Sequence, residues 1–312
     1  MILFASGRTD IAAFYSEWLI NRLKEGYIDV RNPFNKNLVS RILLSEVDLI
    51  FFCTKNPIPI LDKINQITIN TYFHITLTPY KKDIEPSLPS KKEMIKSIKE
   101  LSNRIGKENI VIRYDPVFIS EKYNLDYHKR AFESLCASLE GYVSKIVISF
   151  LDEYKNVKNH YSLLKYQKLE EQDYKEIGLS FSQSARAHHL EVFTCFEDHN
   201  LIEYGFAQGE CMSKELATRL TNKIYETKWN ARKEKKCHCV SMVDIGEYNT
   251  CKHYCAYCYA NYDEKSVNLN WKEHDKNSSL LIGHLKDSDI IKIRHDKNVS
   301  TKEQLSLFKK DL

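Results

Sequence analysis

The chain has 312 residues, 43% hydrophobic and 28% charged with few glycines and prolines, which excludes a disordered chain and allows one large or two small domains. Its 46 Lys and Arg against 42 Asp and Glu leave a net charge of +4, too small for a global field that would draw nucleic acid, although a local basic patch is compatible with it. No apolar run is long enough to span a bilayer, and MILFASGRTD has neither a basic leader nor a small-residue cleavage site, so a cytoplasmic protein without a membrane partner is expected.

The first two thirds alternate β-like apolar runs with helical patterns. Ile2 to Ser6 is a short strand, and Ile11, Phe14, Tyr15 and Trp18 then follow helical spacing until Gly26. The unit recurs: Val47 to Cys53 precedes PIPILDKINQI, and Tyr72 to Thr78 precedes a helix opened by the capping box Ser90 and Glu93 and closed near Gly106. Asn109 to Pro116 precedes a helix over Tyr127 to Leu139, Lys145 to Phe150 precedes a helical segment reaching His188, and Leu190 to Phe196 makes a sixth strand. Several strands are continuously apolar, as expected when helices cover both faces of a parallel sheet. Six such units imply an α/β protein, either a partial or complete TIM-like (β/α) barrel with mostly parallel strands or an open doubly wound sheet, and the barrel is the expectation.

In both architectures the active site lies at the carboxyl ends of the strands. Those ends are polar here: Arg8-Thr9-Asp10, Thr54-Lys55-Asn56, Thr78-Pro79-Tyr80, Arg113-Tyr114-Asp115, Ser149 and Glu197. Helix capping accounts for Asp10 and Asn56. Arg8, Lys55, Arg113, Asp115 and Glu197 are the candidates for a catalytic cavity. His74 is expected on a strand face with an ordinary hydrogen bond.

After about Leu201 the pattern changes, dividing the chain into a barrel-like part, 1–200, and a cysteine-rich part, 201–312. A helix capped at Ser213 carries Leu216, Leu220 and Ile224; ARKEKK (Ala231 to Lys236) reads as a solvated linker or a nucleic-acid patch. A loop-like stretch with Trp271, His274 and Asp275 leads to KEQLSLF, which reads as a short packed tail.

Nine cysteines in a reducing compartment point to metal or redox chemistry rather than disulfides. Cys251, Cys255 and Cys258 form C-x3-C-x2-C. A closed zinc site takes four ligands, whereas three thiolates on one loop hold three irons of a cubane and leave the fourth open to a small molecule. Zinc, with Cys237, Cys239 or His253 completing the set, is the alternative. Cys195, Cys211, Cys237 and Cys239 form a looser set for a second metal site, iron-sulfur or zinc; core packing is the better account of Cys53 and Cys136.

The spacing Cys251, Cys255, Cys258 resembles the cluster loop of radical S-adenosylmethionine enzymes, and CAYCYA resembles that of spore photoproduct lyases and DNA repair photolyase-like proteins. A broader resemblance covers SGRTDIAAFYSEW, VRNPFN, CTKNP, TLTPY, RYDP, DIGEYNTCKHYCAYCYAN and EHDKNSSLLIG, from residue 6 to 283: these are similar to the bacterial family called domain of unknown function 1848. The superfamily resemblance implies a 4Fe-4S cluster on the three cysteines, S-adenosylmethionine as cofactor with Tyr257 as an adenine neighbour, and a 5'-deoxyadenosyl radical that takes hydrogen from a substrate. It also implies a cellular electron donor such as flavodoxin or ferredoxin. The likeness to photoproduct lyases points to a nucleic-acid base as substrate; a small molecule is the other substrate class. Two departures stand out. The loop follows the sixth strand instead of the first, and no Gly-Gly-Glu-like segment follows a second strand. A non-enzymatic protein with a structural zinc or iron-sulfur site is the reading from another class.

Overall fold

A computed structural model describes residues 1–194, 197, 199–225, 239–295 and 299–301. Strand β1 (Ile2–Ala5) leads to Asp10, whose carboxylate accepts from the Ala13 amide and caps α1 (Ile11–Phe14). Tyr15 leaves helical geometry at φ −128° and ψ 21° before α2 (Ser16–Glu25), so the single helix expected here is broken in two. Gly26 ends α2 at φ +83°, a conformation that a Cβ would resist. The hairpin of β2 (Tyr27–Arg31) and β3 (Leu38–Leu43) stands outside the βα rhythm read from sequence.

The rhythm resumes with β4 (Leu49–Thr54), the short α3 (Ile58–Leu61) and β5 (Asn70–Thr76). The capping box of Ser90 and Glu93 then opens α4 (Lys91–Ile105). β6 (Ile110–Val117), α5 (Leu125–Leu139) and β7 (Lys145–Phe150) follow as expected. The helical segment after β7 is three helices, α6 (Lys155–Asn159), α7 (Tyr161–Leu164) and α8 (Glu171–Ala187), before β8 (Glu191–Thr194) and β9 (Ala207–Gln208).

Beyond these lie α9 (Lys214–Thr221), β10 (Lys223–Tyr225), β11 (Val243–Asp244), α10 (Glu264–Lys272), β12 (Ile290–Ile293) and β13 (Val299–Thr301). Two expectations are corrected here. Ile224 belongs to β10, because α9 ends in the left-handed Asn222. Trp271 sits on α10, whose N-terminus is capped by Asp263, rather than in a loop. ARKEKK and KEQLSLF lie outside the described residues.

The main sheet runs β11-β1-β4-β5-β6-β7-β8-β9 with every pairing parallel, so strands from both parts of the chain share one sheet. Its side chains alternate between two buried surfaces. Leu3, Ile50, Phe73, Ile112 and Ile146 pack with Trp18, Leu101, Phe132 and Phe181 of the helices. Phe4, Phe51, Tyr72, Val111, Val147 and Phe193 point the other way and pack with Met212, Ala217, Val240 and Met242. Helices thus meet both faces, most of them on the first and α9 on the second through Ala217. The strands read as continuous apolar runs because both of their faces are buried, the first against most of the helices and the second against residues such as Met212, Ala217, Val240 and Met242.

At the amino ends of the strands α9 and β10 act as a floor. Leu220 O accepts from Asn70 Nδ2 at 2.7 Å, and Tyr225 OH donates to Asp48 at 2.7 Å. The Val240 amide donates to Met212 O at 3.0 Å, tying the chain after β9 to the chain before β11. The carboxyl ends are left open. No helix among the described residues is long and apolar enough to cross a membrane.

Candidate functional site

The carboxyl ends of the strands surround a cavity of about 580 Å³. Arg8, Lys55, Arg113, Asp115 and Glu197 all line it, brought together from β1, β4, β6 and the segment after β8. The loop after β11 closes over the same space and contributes Cys251, Cys255, Cys258 and Tyr257. Cys211 and Cys239 line the cavity from the sheet's inner surface. Cys195 and Cys237 lie outside the described residues. Cys53 packs against the inner core as expected and, two residues after Phe51, also lines the cavity; Cys136 is buried on α5 as expected.

Charges at the strand ends are paired. Arg8 Nε meets Asp244 Oδ1 at 3.2 Å and Nη2 donates to the Asp244 carbonyl at 3.1 Å, while Ser6 Oγ and the Gly7 amide donate to the same carboxylate. Arg8 thus joins β1 to β11. Lys55 Nζ lies 2.6 Å from Tyr257 OH and 3.2 Å from Glu85 Oε1, and Glu85 also receives Thr78 Oγ1 at 2.7 Å and Lys91 Nζ at 2.7 Å. Burial alone would raise the Glu85 carboxyl, but Lys55 and Lys91 overcome it and hold it at about 2. Burial and the Glu85 charge push the Tyr257 phenol up. Tyr257, the expected adenine neighbour, therefore has its hydroxyl engaged by the protein itself.

Arg113 spans the cavity's depth. Its Nε donates to Asp115 Oδ2 at 2.7 Å, and Nη1 lies 3.4 Å from both His74 Nδ1 and Cys211 Sγ. Ser149 donates to the other Asp115 oxygen. Glu197 Oε1 accepts from the Phe150 amide at 3.0 Å. His74 sits on β5 as read but is fully buried, its Nδ1 near Arg113 and its Nε2 without a hydrogen-bond partner, and burial pushes its imidazole down to about 3.

The cysteine loop is held from several elements. Tyr15 OH donates to Thr250 O at 2.7 Å, the Ala256 amide to Ile84 O at 3.0 Å, and Asn156 Nδ2 to Asn261 O at 2.9 Å. Inside the loop Asn261 Nδ2 donates to Cys251 O at 2.6 Å, and the Ala260 amide donates to Cys258 Sγ at 3.4 Å. Asn249 and Tyr254 sit at φ +56° and +54°, a left-handed conformation that asparagine adopts readily but that is uncommon for a bulky residue such as Tyr254. Burial pushes all three thiols upward, Cys255 to about 12 even with Lys55 nearby.

Sequence reasoning missed Glu85 altogether and the tie between Asp10 and His253. Asp10 caps α1, as read, but its Oδ2 also accepts from the Lys55 amide at 2.7 Å and from His253 Nε2 at 2.9 Å, linking two strand ends to the cysteine loop. His253, weighed as a zinc ligand, commits Nε2 to that bond. Glu85 sits in an irregular segment, where periodicity carries no signal. Among the described residues no three His, Cys, Asp or Glu side chains gather as they would around a single metal ion. A cubane makes no such demand, since each thiolate takes a separate iron.

The family described as a domain of unknown function (DUF1848) matches residues 2–260, which takes in β1, the strand ends and the cysteine loop. No curated protein matches the chain.

Proposed function

Since the chain belongs to the DUF1848 family, a membership that leaves the reaction open, we propose from its cavity that it is a radical S-adenosylmethionine enzyme. The observation that carries the reading is the meeting of Cys251, Cys255 and Cys258 with the polar strand ends around one cavity. The donor set fits a 4Fe-4S cluster: three thiols on one loop, Cys255 buried and Cys251 and Cys258 half-buried, with an amide directed at Cys258 Sγ and no fourth cysteine within the loop. When bound, the cluster and S-adenosylmethionine supply one-electron chemistry that ends in removal of a hydrogen atom from substrate.

The chain's own residues orient and enclose. The Lys55, Glu85 and Tyr257 network holds the loop against the ends of β4 and β5, and Asp10 with His253 holds it against β1. Asp115, fixed by Arg113 and Ser149, presents a carboxylate wall to the substrate. The α9 and β10 floor and the packed inner surface keep water from the side opposite the mouth. We read this enclosure as a TIM-like (β/α) barrel, because one face of the parallel sheet takes most of the helices and the other encloses a core.

The cavity's cations are each matched by an acid, so the substrate class that fits is a small molecule or a base presented singly rather than a phosphate backbone. Cys211 and Cys239 are the described members of a second thiol set that an auxiliary cluster or zinc would occupy. A cytoplasmic reductase such as flavodoxin or ferredoxin would supply the electron.

The test is anaerobic reconstitution with iron and sulfide, then dithionite reduction with S-adenosylmethionine, in the wild type and in Cys255→Ala. Deoxyadenosine from the wild type alone is the expected result. A colourless, zinc-loaded protein that yields none would overturn the reading in favour of a structural metal site.

A further inference from the structure

A second cavity, of about 670 Å³, lies between the last turn of α2 and residues 277–285, and it shares no lining residue with the cavity at the strand ends. Arg22, Lys24, Glu25, Asn277 and Ser279 are among the residues that line it. Hydrogen bonds hold its two sides together. Trp18 Nε1 donates to Ser278 O at 2.9 Å, Asn21 Nδ2 to Asn277 Oδ1 at 3.1 Å, and Arg22 Nη2 to Asn277 O at 2.9 Å, so one face of α2 carries the segment that closes the cavity.

Arg22 is the unusual member of this lining. It is 4% exposed, yet no carboxylate among the described residues pairs with it, and its one hydrogen bond is that of Nη2. Nε is enclosed, which leaves Nη1, without an acceptor in the protein, as the nitrogen through which Arg22 meets the cavity. Burying a guanidinium without an acid is costly. The carbonyl end of α2 and the Tyr27 ring, 5.7 Å from the guanidinium carbon, offset part of that cost, but neither carries a full negative charge. The rest of the lining is also rich in donors. Asn277 gives Oδ1 to Asn21 and keeps Nδ2 for another acceptor, and Lys24 is exposed without an acid paired to it. Glu25 is the acid among the lining residues; it is exposed and forms an ion pair with neither cation.

We propose that this second cavity binds a phosphate group through Arg22, Lys24 and Asn277. Two cations against one exposed acid supply the charge, and a buried guanidinium supplies a donor fixed in direction before the ligand arrives. Three separate donors on two segments suit a tetrahedral oxyanion, which offers an oxygen to each, better than a planar carboxylate with two. The cavity is larger than a bare phosphate needs and lies in the range of small-molecule sites, so it has room for the phosphate of a small ester as well as for the free ion. The site uses neither the thiol loop nor any cofactor, and it stands apart from the reaction proposed above.

Isothermal titration calorimetry with sodium phosphate, at an ionic strength held constant with chloride, tests the site on the wild type, Arg22→Met and Asn277→Asp. The wild type is expected to bind with a millimolar Kd, and Arg22→Met about tenfold more weakly, the effect of one lost hydrogen bond to a charged group. Asn277→Asp keeps an oxygen for Asn21 Nδ2 and the carbonyl that receives Arg22, but sets a carboxylate oxygen where the free amide stood, and it is expected to abolish binding. Thermal melts in chloride report the folding of each variant, and Asn277→Asp carries the test if Arg22→Met does not fold. A wild type that gives no saturable heat with phosphate, or an Asn277→Asp protein that binds as tightly as the wild type, overturns the site. Acetate binding more tightly than phosphate overturns the assignment to a tetrahedral oxyanion. Glycerol phosphate in a parallel titration separates the two sources of the group: tighter binding than phosphate supports an ester, and equal binding supports the free ion.

Discussion

At the residue scale, buried titratable groups set the acid limit of the fold. His128 is fully buried on α5; Tyr114 OH lies 3.0 Å from Nδ1, and Nε2 lies 3.0 Å from Phe118 O. Burial pushes its imidazole down from 6.5 to about 4, with the Phe118 carbonyl working weakly the other way. A group whose folded value is depressed contributes stability above its unfolded value and loses it as pH falls. Wild-type melting temperature should thus decline as pH drops from about 6.5 toward 4, and His128→Gln should show a shallower decline. Identical acid limbs in the two proteins would show that His128 is not the group responsible. Glu85 behaves in the same direction lower down, being held at about 2 by its two lysines.

At the scale of elements, the helices are anchored by a few large side chains. Phe132 of α5 stacks on Phe181 of α8 with centroids 4.0 Å apart and planes 3° apart, and both are wholly buried against the sheet. Removing one ring leaves a cavity that the rigid sheet cannot close. Phe132→Ala should cost about 3–5 kcal/mol, read as a lower urea midpoint with an unchanged slope. A cost near zero would mean that α5 and α8 repack freely. The length of α4 and its cap follow from local signals, Ser90 with Glu93 and apolar residues at helical spacing, whereas α5 begins two residues before the expected Tyr127 and the one segment expected up to His188 is three helices. The β2 and β3 hairpin and the short β9 and β11 carry weaker signals, because strands of so few residues are defined by the partner that pairs with them.

At the scale of the whole molecule, the two ends of the chain are joined at β1 and β11, and Asp244 is the joint. Its carboxylate receives Ser6, Gly7, Arg8 and Gly246 together. Asp244→Ala should leave Arg8 without its partner and loosen the cysteine loop. Hydrogen exchange should then accelerate in β1 and in residues 243–262, while the α5 and α8 pair stays protected. Uniform exchange across the protein would instead mean that the joint and the core unfold as one unit.

Much of this architecture is legible in one dimension. The alternation of apolar runs with capped amphipathic helices depends on neighbours a few residues apart, so Ser90, Gly26 and the six strands could be read directly. The strand-end residues could be named for the same reason, since the end of an apolar run is a local event. What no local pattern carries is the company those residues keep. Asp10 reads as a helix cap until His253, far along the chain, is brought against it; Glu85 reads as loop until Lys55, Lys91 and Tyr257 surround it. The pairing of β1 with β11 and the descent of the thiol loop onto the strand ends join residues hundreds of positions apart. Only the folding of the whole chain, driven by burial of both faces of one parallel sheet, decides them.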